Sequence, residues 1–179
     1  MPDENEKHLS DFVEYLTRLT PENDRGTLAV LRRGLGYPPG QDLDMYRYVA
    51  RFVPDAFRGK DREKVYYLVA ALYAFHQLST DEDLNFGSHM ALAASQQKDL
   101  AATERRFVVL LNTNLADLAD YMRQAISFLR ANKVKINWQN LFDDLSHWDS
   151  RNKSVQRRWA NSFWAYQKPV NESTTNKEN

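Results

Sequence analysis

Apolar residues recur three and four positions apart along almost the whole chain, and this spacing most narrows what it can fold into. Such a pattern lines one face of an α-helix, whereas a half-buried strand needs alternation at every second residue. Only 6 glycines and 6 prolines interrupt it over 179 residues, so strands have little claim on the sequence. The expected class is all-α, with about nine helices.

Leu9, Phe12, Val13, Leu16 and Leu19 stripe a first helix, which Pro21 and Asn23 end. Asp24 is placed to cap a second, with Leu28, Leu31 and Leu35 inward and Gly34, Gly36 and Pro38-Pro39-Gly40 closing it. Tyr46, Val49, Phe52 and Val53 mark a third helix. A fourth, starting near Asp61, turns Val65, Leu68, Val69, Leu72 and Phe75 inward. Phe86, Met90 and Ala94 give a small-residue helix, followed by one with Phe107, Leu110 and Leu111. The strongest amphipathic segment carries Leu115, Leu118, Met122, Ile126 and Leu129 behind an Asn114 cap, with Arg123, Ser127 and Arg130 on another face. Trp138, Leu141, Phe142, Leu145 and Trp148 behind Asn137, then Val155, Trp159, Phe163 and Tyr166, complete the set. Three of the four tryptophans therefore fall on core stripes.

The helix lengths vary and no repeat registers at a fixed period, which argues against a solenoid and for two small helical bundles in tandem. Acidic Asp81-Glu82-Asp83 and the polar residues after it place the boundary near residue 85. The expected units are an N-terminal helical domain over 1–84 and a C-terminal bundle over 85–166. The polar, aperiodic stretch 167–179 reads as a disordered tail.

Chemistry is largely excluded. The absence of cysteine removes thiolate metal sites, thiol nucleophiles and disulfides, and suits a reducing, cytoplasmic setting. His8, His76, His89 and His147 show no metal-binding spacing among themselves, and His76 and His147 read as partly buried structural residues. Asp143-Asp144 reads as the outer face of a helix, and Asp81-Glu82-Asp83 as a solvated loop. Two S-x-x-K matches, at Ser95 and Ser150, lack the companion motifs of a serine acyl enzyme. Gly34-Leu35-Gly36 lacks a third glycine and a preceding strand. No cofactor or metal is called for, and no catalytic activity is expected. The uncharged run Val65–Thr80 is shorter than a membrane span, and the acidic N-terminus does not resemble a secretory signal, so no membrane partner is expected.

Net charge is zero, with 24 basic and 24 acidic residues, yet the basic ones come in blocks. The segment 151–168 has five lysines and arginines and no acid. Arg32-Arg33, Arg105-Arg106 and Arg157-Arg158 are three double-arginine steps outside the apolar stripes, joined by Arg62, Arg123, Arg130, Lys133, Lys135, Arg151 and Lys153. A guanidinium donates two hydrogen bonds at once to a phosphate and keeps its charge, so it grips a nucleic-acid backbone without reading sequence. With the aromatics on core stripes, no base-stacking platform is expected. Glu104 and Asp120 are near enough in sequence to take Arg105 and Arg123 into surface ion pairs worth at most ~1 kcal/mol. Two readings result, a nucleic-acid-binding structural subunit and a helical adaptor that docks basic faces on acidic proteins. A hydrolase built on a carboxylate pair is a distant third.

Several segments carry a resemblance. Leu31-Arg32-Arg33-Gly34 with Pro38-Pro39-Gly40, Tyr67-Leu68-Val69-Ala70-Ala71-Leu72-Tyr73-Ala74, Glu104-Arg105-Arg106-Phe107 and Arg123-Gln124-Ala125 resemble the CasB family. Trp138, Leu141, Asp144-Leu145, Trp148, Val155, Trp159-Ala160 and Phe163 continue it, so that it covers about residues 9–166. The resemblance implies the small subunit of the type I-E Cascade, the RNA-guided surveillance complex of CRISPR immunity. It further implies an all-helical, two-bundle, non-enzymatic protein, present in two copies beside the guide RNA and other Cascade subunits. In that setting it would contact unwound target DNA and stabilise the R-loop. Arg32, Arg33, Arg105, Arg106 and Arg123 match basic positions of the family, and Arg62 and Arg151 extend the set. Arg130, Lys153, Arg157 and Arg158 are added from the charge pattern. Gln124, Asn112 and Leu115 stand where relatives carry basic residues, which points to a somewhat different set of grips.

Overall fold

The computed structural model describes residues 4–166, with side-chain burial from Asp11 onward, so the side chains of Leu9 and His8 and the stretch 167–179 lie outside the described residues. The chain is all-α. Its nine helices among those residues are α1 (Glu4–Arg18), α2 (Arg25–Arg33), α3 (Tyr46–Val49), α4 (Asp61–Phe75), α5 (Phe86–Ala94), α6 (Leu100–Asn112), α7 (Leu118–Ala131), α8 (Trp138–Ser146) and α9 (Ser154–Tyr166). Short 3-10 turns flank α3 and follow α2. A parallel bridge between Ser79 and Ile136 ties the strap after α4 to the one before α8.

Side-chain caps begin four of these helices, as the polar residues before each apolar stripe allow. Asp24 accepts the Thr27 amide at 3.0 Å and Asn137 the Asn140 amide at 2.9 Å, both as expected, and Asn85 and Asp99 do the same for α5 and α6. Asn114 behaves differently from the expectation. Its Oδ1 accepts the Asp117 amide at 3.0 Å in a turn, and α7 begins only at Leu118, leaving Leu115 half-buried ahead of the helix. The third helix is also reduced to Tyr46–Val49, because the chain turns repeatedly on either side of it.

Helix α4 is the centre of the packing. Its residues from Val65 to Ala74 are buried all round rather than on one stripe, so every neighbour can rest an apolar face on it. It meets α1, α2, α7 and α8. Aromatic contacts carry the core across residue 85, with Phe12 and Phe142 rings 5.0 Å apart, Tyr66 and Phe142 at 4.8 Å, and Tyr73 and Trp138 at 5.4 Å. The buried apolar residues of both halves form one connected cluster. Trp138, Trp148 and Trp159 are buried in it, as their spacing predicted, while Trp164 is exposed.

Two glycines sit at close approaches. A Cβ on Gly87 would overlap the Trp159 carbonyl oxygen, so α5 can lie along α9 only because that position is bare. A Cβ on Gly34 would overlap the Met45 sulfur where α2 turns under α3.

Candidate nucleic-acid interface

Tertiary structure sorts the basic side chains into those already engaged and those open to solvent. Arg33 pairs with Asp44 and, at 3.5 Å, with Asp42, two acids that reach it from the turn before α3. Arg158 pairs with Asp144 of α8. The 151–168 block therefore has an acidic neighbour in space although none in sequence. Both arginines keep about half of their side chains exposed. Arg62 donates to the Ser146 carbonyl at 3.2 Å and lies over the Phe57 ring. Among the described residues, Glu104 and Asp120 form no ion pair with Arg105 or Arg123. Arg32, Arg105, Arg106, Arg151, Lys153 and Arg157 are exposed and carry no ion pair among those residues.

Three segments distant in sequence meet on one surface. Arg123, on the outer face of α7, donates its Nη1 hydrogen to the Leu35 carbonyl at 2.9 Å, which ties it to the 3-10 turn Gly34–Gly36 that follows α2. That bond satisfies a carbonyl left open where α2 ends. On its other side Arg123 lines a cavity of about 480 Å³ between α6 and α7, together with Arg106. Two turns along α7, Arg130 sits over the Phe75 ring at 4.5 Å, and Phe75 is also a wall of the cavity. Arg106, Arg123 and Arg130 thus surround one region. Arg62 lies elsewhere, at the α8–α9 connection that also holds Ser150, next to Arg151. Arg105 faces outward on α6, away from the buried Phe107 stripe.

The aromatic residues are not all in the core. Phe75, expected to point inward, is half-buried, and Tyr121 and Phe128 beside it are half-buried as well. All three line the cavity. Periodicity missed them because a half-buried position at the edge of a helical stripe has the same spacing as a core one. Leu35, also expected to point inward, is only half-buried.

The buried polar residues explain themselves structurally. His76 is buried, and its Nε2 lies 2.7 Å from the Val134 carbonyl, to which it donates. Desolvation lowers its pKa, with that bond opposing. His89 accepts the Asn137 amide at 3.1 Å, and burial pushes it down to about 4. His147 departs from the expectation of a partly buried residue. It is exposed, and its Nδ1 is 2.9 Å from the Asp143 carbonyl. Asp144 departs too, since it is not on an outer face but buried, receiving the Trp159 indole N–H at 2.5 Å as well as Arg158. Among the described residues no three His, Asp or Glu side chains gather as a metal site, and no helix is long and apolar enough to cross a membrane.

A sequence profile of the CRISPR-associated protein Cse2 family matches residues 27–164. Over 155 residues the chain is 32% identical to a CRISPR-associated protein Cse2 of Thermus thermophilus, an alignment covering 86% of this chain and 88% of that protein. The crystal structure of a Cse2-family CRISPR-associated protein from the same organism superposes with a TM-score of 0.77 at 28% identity, covering 88% of this chain and 97% of the other. A chain of a CRISPR RNA-guided surveillance complex superposes with a TM-score of 0.77 at 26% identity, covering 90% and 94%.

Proposed function

Because the chain belongs to the CRISPR-associated Cse2 family, we propose that it is a non-enzymatic small subunit of a type I-E Cascade that holds target DNA in the R-loop. It acts in the cytoplasm as one of two copies, beside the guide RNA and the other subunits. R-loop formation exchanges a DNA duplex for an RNA–DNA duplex of nearly equal stability, so modest sequence-blind contacts to the strands can tip it. Arginines aimed at phosphates supply such contacts. The observation that carries this reading is the meeting of Arg106, Arg123 and Arg130, from α6 and α7, around one surface with no acid paired to any of them among the described residues.

The arrangement also ranks the basic residues. Arg106, Arg123 and Arg130 form the principal grip, and Arg32, Arg105, Arg151, Lys153 and Arg157 are open for further contacts. Arg33, Arg62 and Arg158 act first as structural ties, through Asp42 and Asp44, Ser146 and Asp144, with their exposed parts available to a strand.

A salt titration of single-stranded target binding by the assembled complex tests this. Changing Arg106 and Arg123 together to Ala removes two phosphate contacts and should flatten the slope of log affinity against log salt by about 1.4. An unchanged slope would refute the assignment. The adaptor reading is favoured by the exposed Val108, Val109 and Trp164 on α6 and α9, which suit a protein neighbour better than a phosphate backbone. Photocrosslinking separates the two, because a DNA grip yields adducts to target DNA from a probe at Arg106, and an adaptor yields only protein adducts.

A further inference from the structure

The cavity between α6 and α7 has the chemistry of a site for one nucleotide. Several clefts of similar volume open on the described surface, and the one between α6 and α7, of about 480 Å³, combines three half-buried aromatic rings with two arginines. That volume lies in the range of small-molecule sites. Its walls include the half-buried rings of Phe75, Tyr121 and Phe128, with the Arg130 guanidinium over Phe75. Its rim carries Arg106 from α6 and Arg123 from α7. An apolar slot with a cationic rim selects a ligand that is flat and apolar at one end and anionic at the other.

We propose that this cavity is a nucleobase pocket, taking one unstacked base of a single strand whose flanking phosphates lie on Arg106 and Arg123. The inference rests on the strand-gripping role given above and adds a base to what would otherwise be contact with the backbone alone. Two cations on two different helices favour charges spaced along a chain, as phosphates on either side of a nucleoside are, over the single terminal charge of an aliphatic carboxylate. Every base has a π-face, so a pocket of this kind binds without choosing a sequence. Gln124 and Ser127, which also line the cavity, can exchange hydrogen bonds with a base edge. Entry costs least on a strand already unpaired.

The test uses the full chain, followed by amide NMR, titrated with hexathymidylate and with an abasic hexamer of the same phosphate count. Hexathymidylate should bind about tenfold more tightly than the abasic hexamer and shift the amides of Gln124 and Phe128. Filling the cavity through exposed Ser127, as Ser127→Trp, should bring the two oligomers to equal affinity without weakening the abasic one. Phe128→Ala is a second route to the same loss, and its amide spectrum reports whether the fold survives. Equal affinities in the unaltered chain would overturn the pocket while leaving the phosphate grip intact. No binding of either oligomer at millimolar concentration would overturn both. Decanoate saturating these amides where hexathymidylate leaves them unmoved would mark a carboxylate site and likewise overturn the proposal.

Discussion

At Asp144 burial and two donors pull on one proton. Burial raises the pKa above its ordinary 3.8, and the Trp159 indole N–H and the Arg158 guanidinium pull it back without cancelling the rise. The folded chain therefore holds that proton where the unfolded chain has released it, and this group's contribution to stability falls as pH rises from about 4. Changing Asp144 to Ala leaves the buried Trp159 N–H unpaired and should cost about 2 kcal/mol, read from the urea midpoint at pH 7. His89 has the opposite sign. Its pKa falls from 6.5 to about 4, so the unfolded chain binds a proton that the folded chain refuses. Its stabilisation is complete above pH 6.5 and drains away as pH falls toward 4. Between pH 7 and pH 5 the loss should be about 2 kcal/mol in urea unfolding, and His89→Gln should remove most of that slope while keeping an acceptor for the Asn137 amide. A flat profile in the unaltered chain would contradict this.

Among the helices, α5 and α9 are held at a separation that only a bare Cα allows. Replacing Gly87 by Ala would favour an isolated helix by about 1 kcal/mol. In this packing the added methyl runs into the Trp159 backbone, which cannot swing aside, so we expect a net loss of about 2 kcal/mol or more in thermal unfolding. Gly34→Ala should cost less, because the atom it meets is the mobile sulfur of Met45. Most element boundaries could be read from caps and stripes, including Asp24 and Asn137. The start of α7 could not, since Asn114 offers the same side chain to a turn as to a helix, and the surrounding packing decides between them.

For the molecule as a whole, the aromatic contacts of Phe12 and Tyr66 with Phe142 join the segments before and after residue 85 into one buried cluster. That continuity predicts a single cooperative transition, with tryptophan fluorescence and far-ultraviolet circular dichroism coinciding on heating. Two separated transitions would instead favour independent units over 1–84 and 85–166. Helical class, most of the core stripes, the burial of Trp138, Trp148 and Trp159 and the family were legible in the amino-acid sequence, whereas Tyr166, at the end of the last stripe, is exposed. Each rests on local periodicity or on residues in order, and a helix's inward face is set by steric rules acting over three or four positions. Which arginines remain open was not legible, because a charge finds its partner through the packing of whole helices. Asp42 and Asp44 reach Arg33 around a turn, Asp144 reaches Arg158 from the neighbouring α8, and the Leu35 carbonyl meets Arg123 across 88 positions. The cavity between α6 and α7 was decided at the same level, by helices meeting along faces whose edges carry Phe75, Tyr121 and Phe128.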